Sequence, residues 1–405
     1  MYIIVFLIIF LLWLGGLGGS LQPSRLLLLI APFLVPMLSK VPHISFNKEI
    51  RFGIKMYAFW LIYGIITLLW SVDSLAGLTS EIIVMFIGML SIVVFPMFLR
   101  NDKKSLKVIR NAWIFGFICT LPIAFYEIST MQHFSYLEEE RLLGGLGVYA
   151  PFASIFFGNY NNYCVYICFC FPFLFWALIE TPHKIWKIIY GALVGVGILI
   201  IFINTNRTSL VVIALYLLCF IRFKIKSVLT ILGVLVLVIV LYNYLPESLR
   251  STLDMLYNYR VNVDYSEDES SKLRRGVFEE GVRFLVESAG FGSGAGSFEE
   301  MMLRSPKYDG ISNPHNLFLE IFVQYGVIVF GLFIYWFWLI LKKIYKNTSL
   351  NGYSKRILYM AIFTIPITGI INSAALGYTV WWIYFSSLMM IASINLEKNV
   401  NDSIV

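Results

Sequence analysis

A histidine and three arginines hold most of the chemical capacity of this 405-residue chain. His315 stands in Asn313-Pro314-His315-Asn316, and Arg274-Arg275 lie earlier in the same polar stretch. A neutral imidazole, with an ordinary pKa near 6.5, takes a proton from a hydroxyl at ambient pH and suits a general base. A guanidinium is a planar fork that grips a phosphate or diphosphate oxygen at two points, where an ammonium acts as a point charge. Arg207, in Asn204-Thr205-Asn206-Arg207-Thr208, marks a polar break between two apolar runs. Cations and a base so placed point to an anionic substrate. Plainer roles exist for each residue. The histidine can simply hydrogen-bond a loop, and Arg207 can snorkel to lipid headgroups. Arg274 and Arg275 can pair with Glu279 and Glu280 about one turn later. Two adjacent helix residues cannot face the same way, so one arginine is expected on a glutamate and the other toward the membrane surface.

Other residues carry weaker signals. Gly292-Ser293-Gly294-Ala295-Gly296 has the spacing of a nucleotide loop, but no strand precedes it, so a compact turn is expected, with backbone amides on a phosphate as the minor alternative. Cys164, Cys168 and Cys170 lie close together on one apolar run, where packing explains buried thiols better than a metal; no metal site is expected.

The elements that position these residues are membrane helices. The chain is 59% hydrophobic, has a mean hydropathy of +0.78 and is only 14% charged, beyond what a soluble core requires. It reads as all-α, a polytopic membrane protein forming one domain over residues 1–405. At about 20 apolar residues per crossing, about 12 segments qualify: 2–19, 25–39, 53–71, 81–99, 110–127, 160–180, 186–204, 208–222, 226–245, 316–341, 357–375 and 378–395. The first lacks a basic flank and a small-residue cleavage site, so it is read as a retained helix. With both termini cytoplasmic, the inner connections and tail collect 20 of the 31 Lys and Arg residues. The net charge of +7 therefore reports topology and gives no nucleic-acid patch. Two polar excursions then face outward, 128–159 and the larger 246–314, which falls between the ninth and tenth helices. Within the larger one, Ser271 to Ser288 reads as a helix, with Ser270 or Ser271 available as its cap, and Ser297 to Leu303 as a second, short helix. Acidic residues are nearly absent from the middles of the apolar segments; Glu81, Glu127, Glu180 and Glu320 all sit near segment ends.

In this order the motifs resemble those of the bacterial O-antigen polymerase and O-antigen ligase superfamily, closest to the Gram-positive capsular and teichuronic-acid polymerases. Glu127-Ile-Ser-Thr-Met-Gln-His133 is similar to a Glu-x-x-Thr-Gly-x-His element, with Met131 where a glycine is usual. Phe157-Gly-Asn-Tyr-Asn-Asn162, Thr205-Asn-Arg207-Thr-Ser, the block from Arg274 to Gly296, and His315-Asn316 followed by Gly326 complete the set. The resemblance implies a glycosyltransferase-C-like bundle that works at the outer face of the cytoplasmic membrane. It implies glycan transfer from an undecaprenyl-diphosphate-linked oligosaccharide, with inversion and with neither metal nor other cofactor. His315 then becomes the base, and Arg207 with Arg274 or Arg275 the diphosphate clamp. His133, Asn159, Asn161, Asn162, Asn316 and Glu320 become candidate substrate contacts, although capping a helix start explains an asparagine equally well. Besides its substrate and membrane lipid, the partners such a protein implies are a chain-length regulator and a flippase, and no nucleic acid. A growing chain passed to the next lipid-linked repeat unit is the leading expectation, and a ligase with a different acceptor the alternative. A 12-helix transporter fits less well, because matching halves and midplane ionisable groups are missing.

Overall fold

The fold is that of a computed structural model, described over residues 2–15, 22–34, 47–134, 152–204, 206–220, 250–251, 254, 269–306, 312–347, 350, 352–370 and 376–394. The expected segment 226–245 lies outside these residues. So do Thr205, the run Glu138-Glu139-Glu140 with Arg141 and Gly144, and most of 252–268.

Every regular element among the described residues is helical. They are α1 (Tyr2–Phe10, continued by a 3-10 turn, Leu11–Leu14), α2 (Pro23–Leu34), α3 (Lys48–Thr67), α4 (Ser74–Phe98), α5 (Lys103–Thr130), α6 (Tyr160–Glu180), α7 (Lys184–Ile203), α8 (Arg207–Phe220), α9 (Glu269–Glu287), α10 (Ser297–Leu303), α11 (Leu317–Lys346), α12 (Gly352–Thr368) and α13 (Thr379–Ser393). Six are long and apolar enough to cross a membrane: α3, α4, α5, α6, α7 and α11. Apolar stretches of Tyr2–Leu14, Pro23–Leu34, Arg207–Leu218 and Thr379–Ser393 are shorter.

Side-chain caps fix several helix starts. Asp102 accepts from the Ser105 amide at 2.7 Å, which starts α5 at Lys103, well before the expected 110. Asp73 accepts from the Leu75 and Ala76 amides at 3.1 and 2.9 Å, so α4 begins at Ser74. Glu81, expected at a segment end, consequently lies inside α4, in a π-turn covering Gly77–Ile83. The helix expected from Ser271 starts at Glu269 and ends one residue early, at Glu287, while the one at Ser297–Leu303 forms as expected.

The core is built on α6 and α13. Each residue of α6 from Tyr163 to Ala177 is buried, as is every residue of α13. Phe169 stacks on Tyr384 with ring centroids 3.9 Å apart, and Trp113 of α5 donates to Ser387 at 3.1 Å. By contrast α7 leaves most of its apolar surface open, the pattern of a helix facing lipid.

Polar contacts between elements gather at two ends of this bundle. One end joins Tyr2 to Asp102, Arg110 to Glu180 at 2.9 Å, and Asn47 to the Ser393 carbonyl at 3.0 Å. The other joins the ends of α3 and α5, the starts of α2, α6, α8, α11 and α13, and the turn between α9 and α10. All the sequence-selected site residues belong to this second end.

Candidate functional site

Helix α9 lies along the first turns of α11. Val277 and Phe284 of α9, Phe298 and Met302 of α10, and Leu319 and Val323 of α11 form one small buried cluster. A Cβ on Gly281 would touch the Leu319 side chain at 3.1 Å, and the Val327 amide donates to the Gly290 carbonyl at 3.0 Å. Residue numbers therefore rise together along α9 and the start of α11, so the two run in the same direction. Arg274 is seven residues before Gly281, close to two full turns, and so shares its face of α9. That face carries Arg274 past Leu319, toward the His315 end of α11. Arg275 points elsewhere and pairs with Glu279 at 3.1 Å, the glutamate partner expected of one of the two arginines. Arg274 is exposed and has no ion pair among the described residues.

The glycine turn fastens α9 and α10 to the bundle. The Ser293 and Gly294 amides donate to the carbonyls of Val323 and Gln324 (2.8 and 3.1 Å), that of Ala295 to Thr67 Oγ1 (3.1 Å), and that of Gly296 to Gln324 Oε1 (2.5 Å). The turn's amides are thus spent within the protein, as a compact turn requires and a phosphate loop does not. Gly292, Gly294 and Gly296 have φ of +92°, +99° and +70°, and a Cβ on Gly294 would lie 2.9 Å from Ser71 Cα. Across from the turn, α11 breaks at Gly326 (φ +75°), which frees the carbonyls that the turn uses. The buried Glu81 accepts from Gln324 Nε2 and the Tyr325 hydroxyl, both at 3.4 Å, where these side chains leave the break.

His315 is half-buried directly before α11, with a left-handed backbone at φ +46°. Asn316 caps the helix, its side-chain oxygen accepting from the Phe318 and Leu319 amides (3.0 and 3.2 Å). Glu320 is buried and accepts from the Leu376 amide at 3.2 Å, while the Leu317 amide donates to Gly369 at 2.8 Å. The segment around Leu376 is in turn clamped by Arg25, which donates to Thr379 Oγ1 at 2.6 Å and the Gly377 carbonyl at 2.8 Å.

A second junction surrounds Arg207. Glu127, fully buried at the end of α5, accepts from the amides of Phe134 (3.0 Å), Ser154 (2.7 Å) and Ile155 (2.8 Å). Met131 takes φ +56° there, the left-handed position where glycine has no steric cost. His133 is buried as well, stacked on Phe152 at 3.9 Å with its Nδ1 3.8 Å from Glu127 Oε2. Asn204 binds both backbone groups of Ala153, at 2.8 and 2.9 Å. Asn206 caps α8 through the Ser209 amide (2.9 Å) and donates to Asn161 Oδ1 (2.7 Å). Asn159 caps α6 through the Asn161 amide at 2.7 Å, and Asn162 donates to the Phe157 carbonyl at 3.2 Å. Arg207, first residue of α8, is exposed on this frame.

The two junctions meet at Tyr378, whose hydroxyl donates to the Asn162 carbonyl at 3.1 Å. Arg25, Glu81, Gln324 and Tyr378 hold the site end together and were not singled out from sequence. Arg25 and Glu81 offered one signal, a charge in or beside an apolar run.

Comparison with known proteins agrees with the sequence motifs. Residues 191–334 match the family model described as O-antigen ligase, a stretch that includes Arg207, Arg274, Arg275, the glycine turn, His315, Asn316 and Glu320. The chain is also 23% identical over 409 residues to the teichuronic acid biosynthesis protein TuaE of Bacillus subtilis (strain 168), covering 94% of this chain and 80% of that one. Together these show the resemblance to the O-antigen ligase and polymerase superfamily and its Gram-positive teichuronic link.

Proposed function

We propose that this membrane protein of the polysaccharide-biosynthesis class is a polymerase. It transfers a growing glycan from undecaprenyl diphosphate onto a lipid-linked oligosaccharide repeat unit at the outer face of the cytoplasmic membrane. The observation that carries the reading is the shared end of the bundle: Arg207 and His315 stand at helix starts where apolar runs begin, and Arg274 lies on α9, which packs on the first turns of α11. Lipid-borne diphosphate lies at that depth. The excess of Lys and Arg on the opposite connections supports an outward orientation for this end.

In the proposed reaction His315 takes the proton from an acceptor sugar hydroxyl. The freed oxygen attacks the anomeric carbon opposite the diphosphate, and the carbon–oxygen bond to the diphosphate breaks, leaving its electron pair on polyprenyl diphosphate. Negative charge grows on that leaving group in the transition state, where Arg207 and Arg274 stabilise it more than in the ground state. Backside attack inverts the anomeric centre. Asn159, Asn161, Asn162 and Asn316 act through the frame, since each is engaged by the backbone or by a neighbouring side chain.

The description of the matching family favours a second reading, a ligase with the same donor and a different acceptor. Purified protein given the lipid-linked repeat unit as sole substrate separates the two. A ladder of multiple repeats is expected of a polymerase; no product longer than one repeat contradicts polymerisation and leaves the ligase.

A further inference from the structure

We infer that α9 is an interfacial helix whose exposed apolar flank rests in the outer part of the lipid bilayer. At about 100° per residue, α9 divides into three sectors. Val277, Gly281 and Phe284 face α10 and α11. Glu280, Arg283 and Glu287 form a charged stripe, with Arg283 bonded to Glu287 at 2.9 Å and also to Glu280. Between them, at positions four apart, Phe278, Val282 and Val286 are 52%, 39% and 72% exposed. A helix wholly surrounded by water and protein gains nothing from that flank, whereas a helix at the membrane boundary presents protein, lipid and water to three different sides.

The occupant is identified by continuity. Past the end of α9 the same apolar surface goes on through Phe291, 59% exposed, whose carbonyl accepts from Tyr63 of α3 at 2.5 Å. Tyr63 is followed on α3 by the exposed Ile66 and then Leu69, and Gly290 joins Val327 on α11, which is exposed together with the next residue, Ile328. Both α3 and α11 are membrane-crossing by length and composition. The flank of α9 is therefore an extension of the lipid-facing surface of two spanning helices. Trp70, half-exposed with its ring nitrogen on the Gly292 carbonyl at 2.9 Å, has the placement of a boundary aromatic. This inference does not depend on the reaction proposed above.

The test uses the full chain in vesicles of phosphatidylethanolamine and phosphatidylglycerol, its five cysteines replaced by alanine or serine. Nitroxides are attached at Phe278→Cys, Val282→Cys and Val286→Cys, with Arg283→Cys and Glu287→Cys as the contrast. Collisions with oxygen, which concentrates in lipid, and with a water-soluble nickel chelate are then compared. The expected oxygen-to-nickel ratio is several-fold higher at the three apolar positions than at the two charged ones. Equal or lower ratios would overturn the inference by placing the flank in water, and low collision with both reagents would do so by placing it under protein. Where the cysteine-free background fails to fold, the unaltered chain is exposed to a lipid carrying a diazirine near its headgroup. Label on the peptide spanning 277–291 is then expected; its absence, with label present on α3, overturns the inference.

Discussion

At the scale of single residues, two groups with unusual environments separate chemistry from architecture. His315 adopts a left-handed backbone, which costs a residue with a Cβ about 1 kcal/mol and persists where the surroundings impose it. His315→Gly is therefore expected to be more heat-stable than His315→Ala by up to about 1 kcal/mol, with both lacking transferase activity; thermal unfolding in detergent checks the first statement. Glu127 is the opposite case. It serves three backbone amides from two loops, so Glu127→Ala strands buried donors and is expected to cost about 3 kcal/mol, read as a fall in unfolding temperature. An unchanged unfolding temperature would show that the loops find other acceptors. The sequence marked Glu127 and His133 as a motif with chemical potential, because side-chain type and spacing were visible. What they touch was not: the amides of Ser154 and Ile155 lie 27 and 28 positions further along the sequence.

At the scale of elements, the glycine turn is the fastening of α9 and α10. Gly294→Ala places a Cβ against Ser71 Cα and the Thr67 carbonyl, both 2.9 Å away, on a backbone that already disfavours it. The turn is expected to leave the break in α11, making the segment 269–306 sensitive to protease in vesicles while the spanning helices stay intact. Gly276, in the middle of α9, meets nothing within 4 Å, so Gly276→Ala is expected to leave protease resistance intact and to add up to about 1 kcal/mol of helix stability. Equal protease sensitivity in both variants would contradict this account of the turn. The turn and both short helices were legible from glycine spacing and apolar periodicity. Their docking partners were not, because Thr67, Trp70 and Ser71 lie more than 200 positions away in sequence and the break at Gly326 falls inside what reads as one helical segment, 316–341. The π-turn that buries Glu81 was hidden for a related reason: apolar content defines a span without revealing its hydrogen-bond register.

At the scale of the molecule, the alternation of chain direction among the described helices was readable from hydropathy, and their polar contacts fall at two ends accordingly. Boundaries were less readable, since caps such as Asp73 and Asp102 extend α4 and α5 through polar residues that hydropathy discards. The two-ended arrangement gathers Arg207, Arg274 and His315 from distant parts of the sequence at one end, while Arg275 is held by Glu279. The central claim is that this end transfers glycan from a lipid diphosphate with His315 as base and Arg274 as a diphosphate ligand. Its most direct measurement is chain growth by the purified protein in vesicles, with lipid-linked repeat unit as substrate, comparing the unaltered chain with His315→Ala, Arg274→Ala and Arg275→Ala. Growth is expected to fall at least about 100-fold for the first two variants, the usual contribution of a general base or a charge-stabilising donor, and to change less than a few-fold for Arg275→Ala; full growth with His315→Ala would contradict the account.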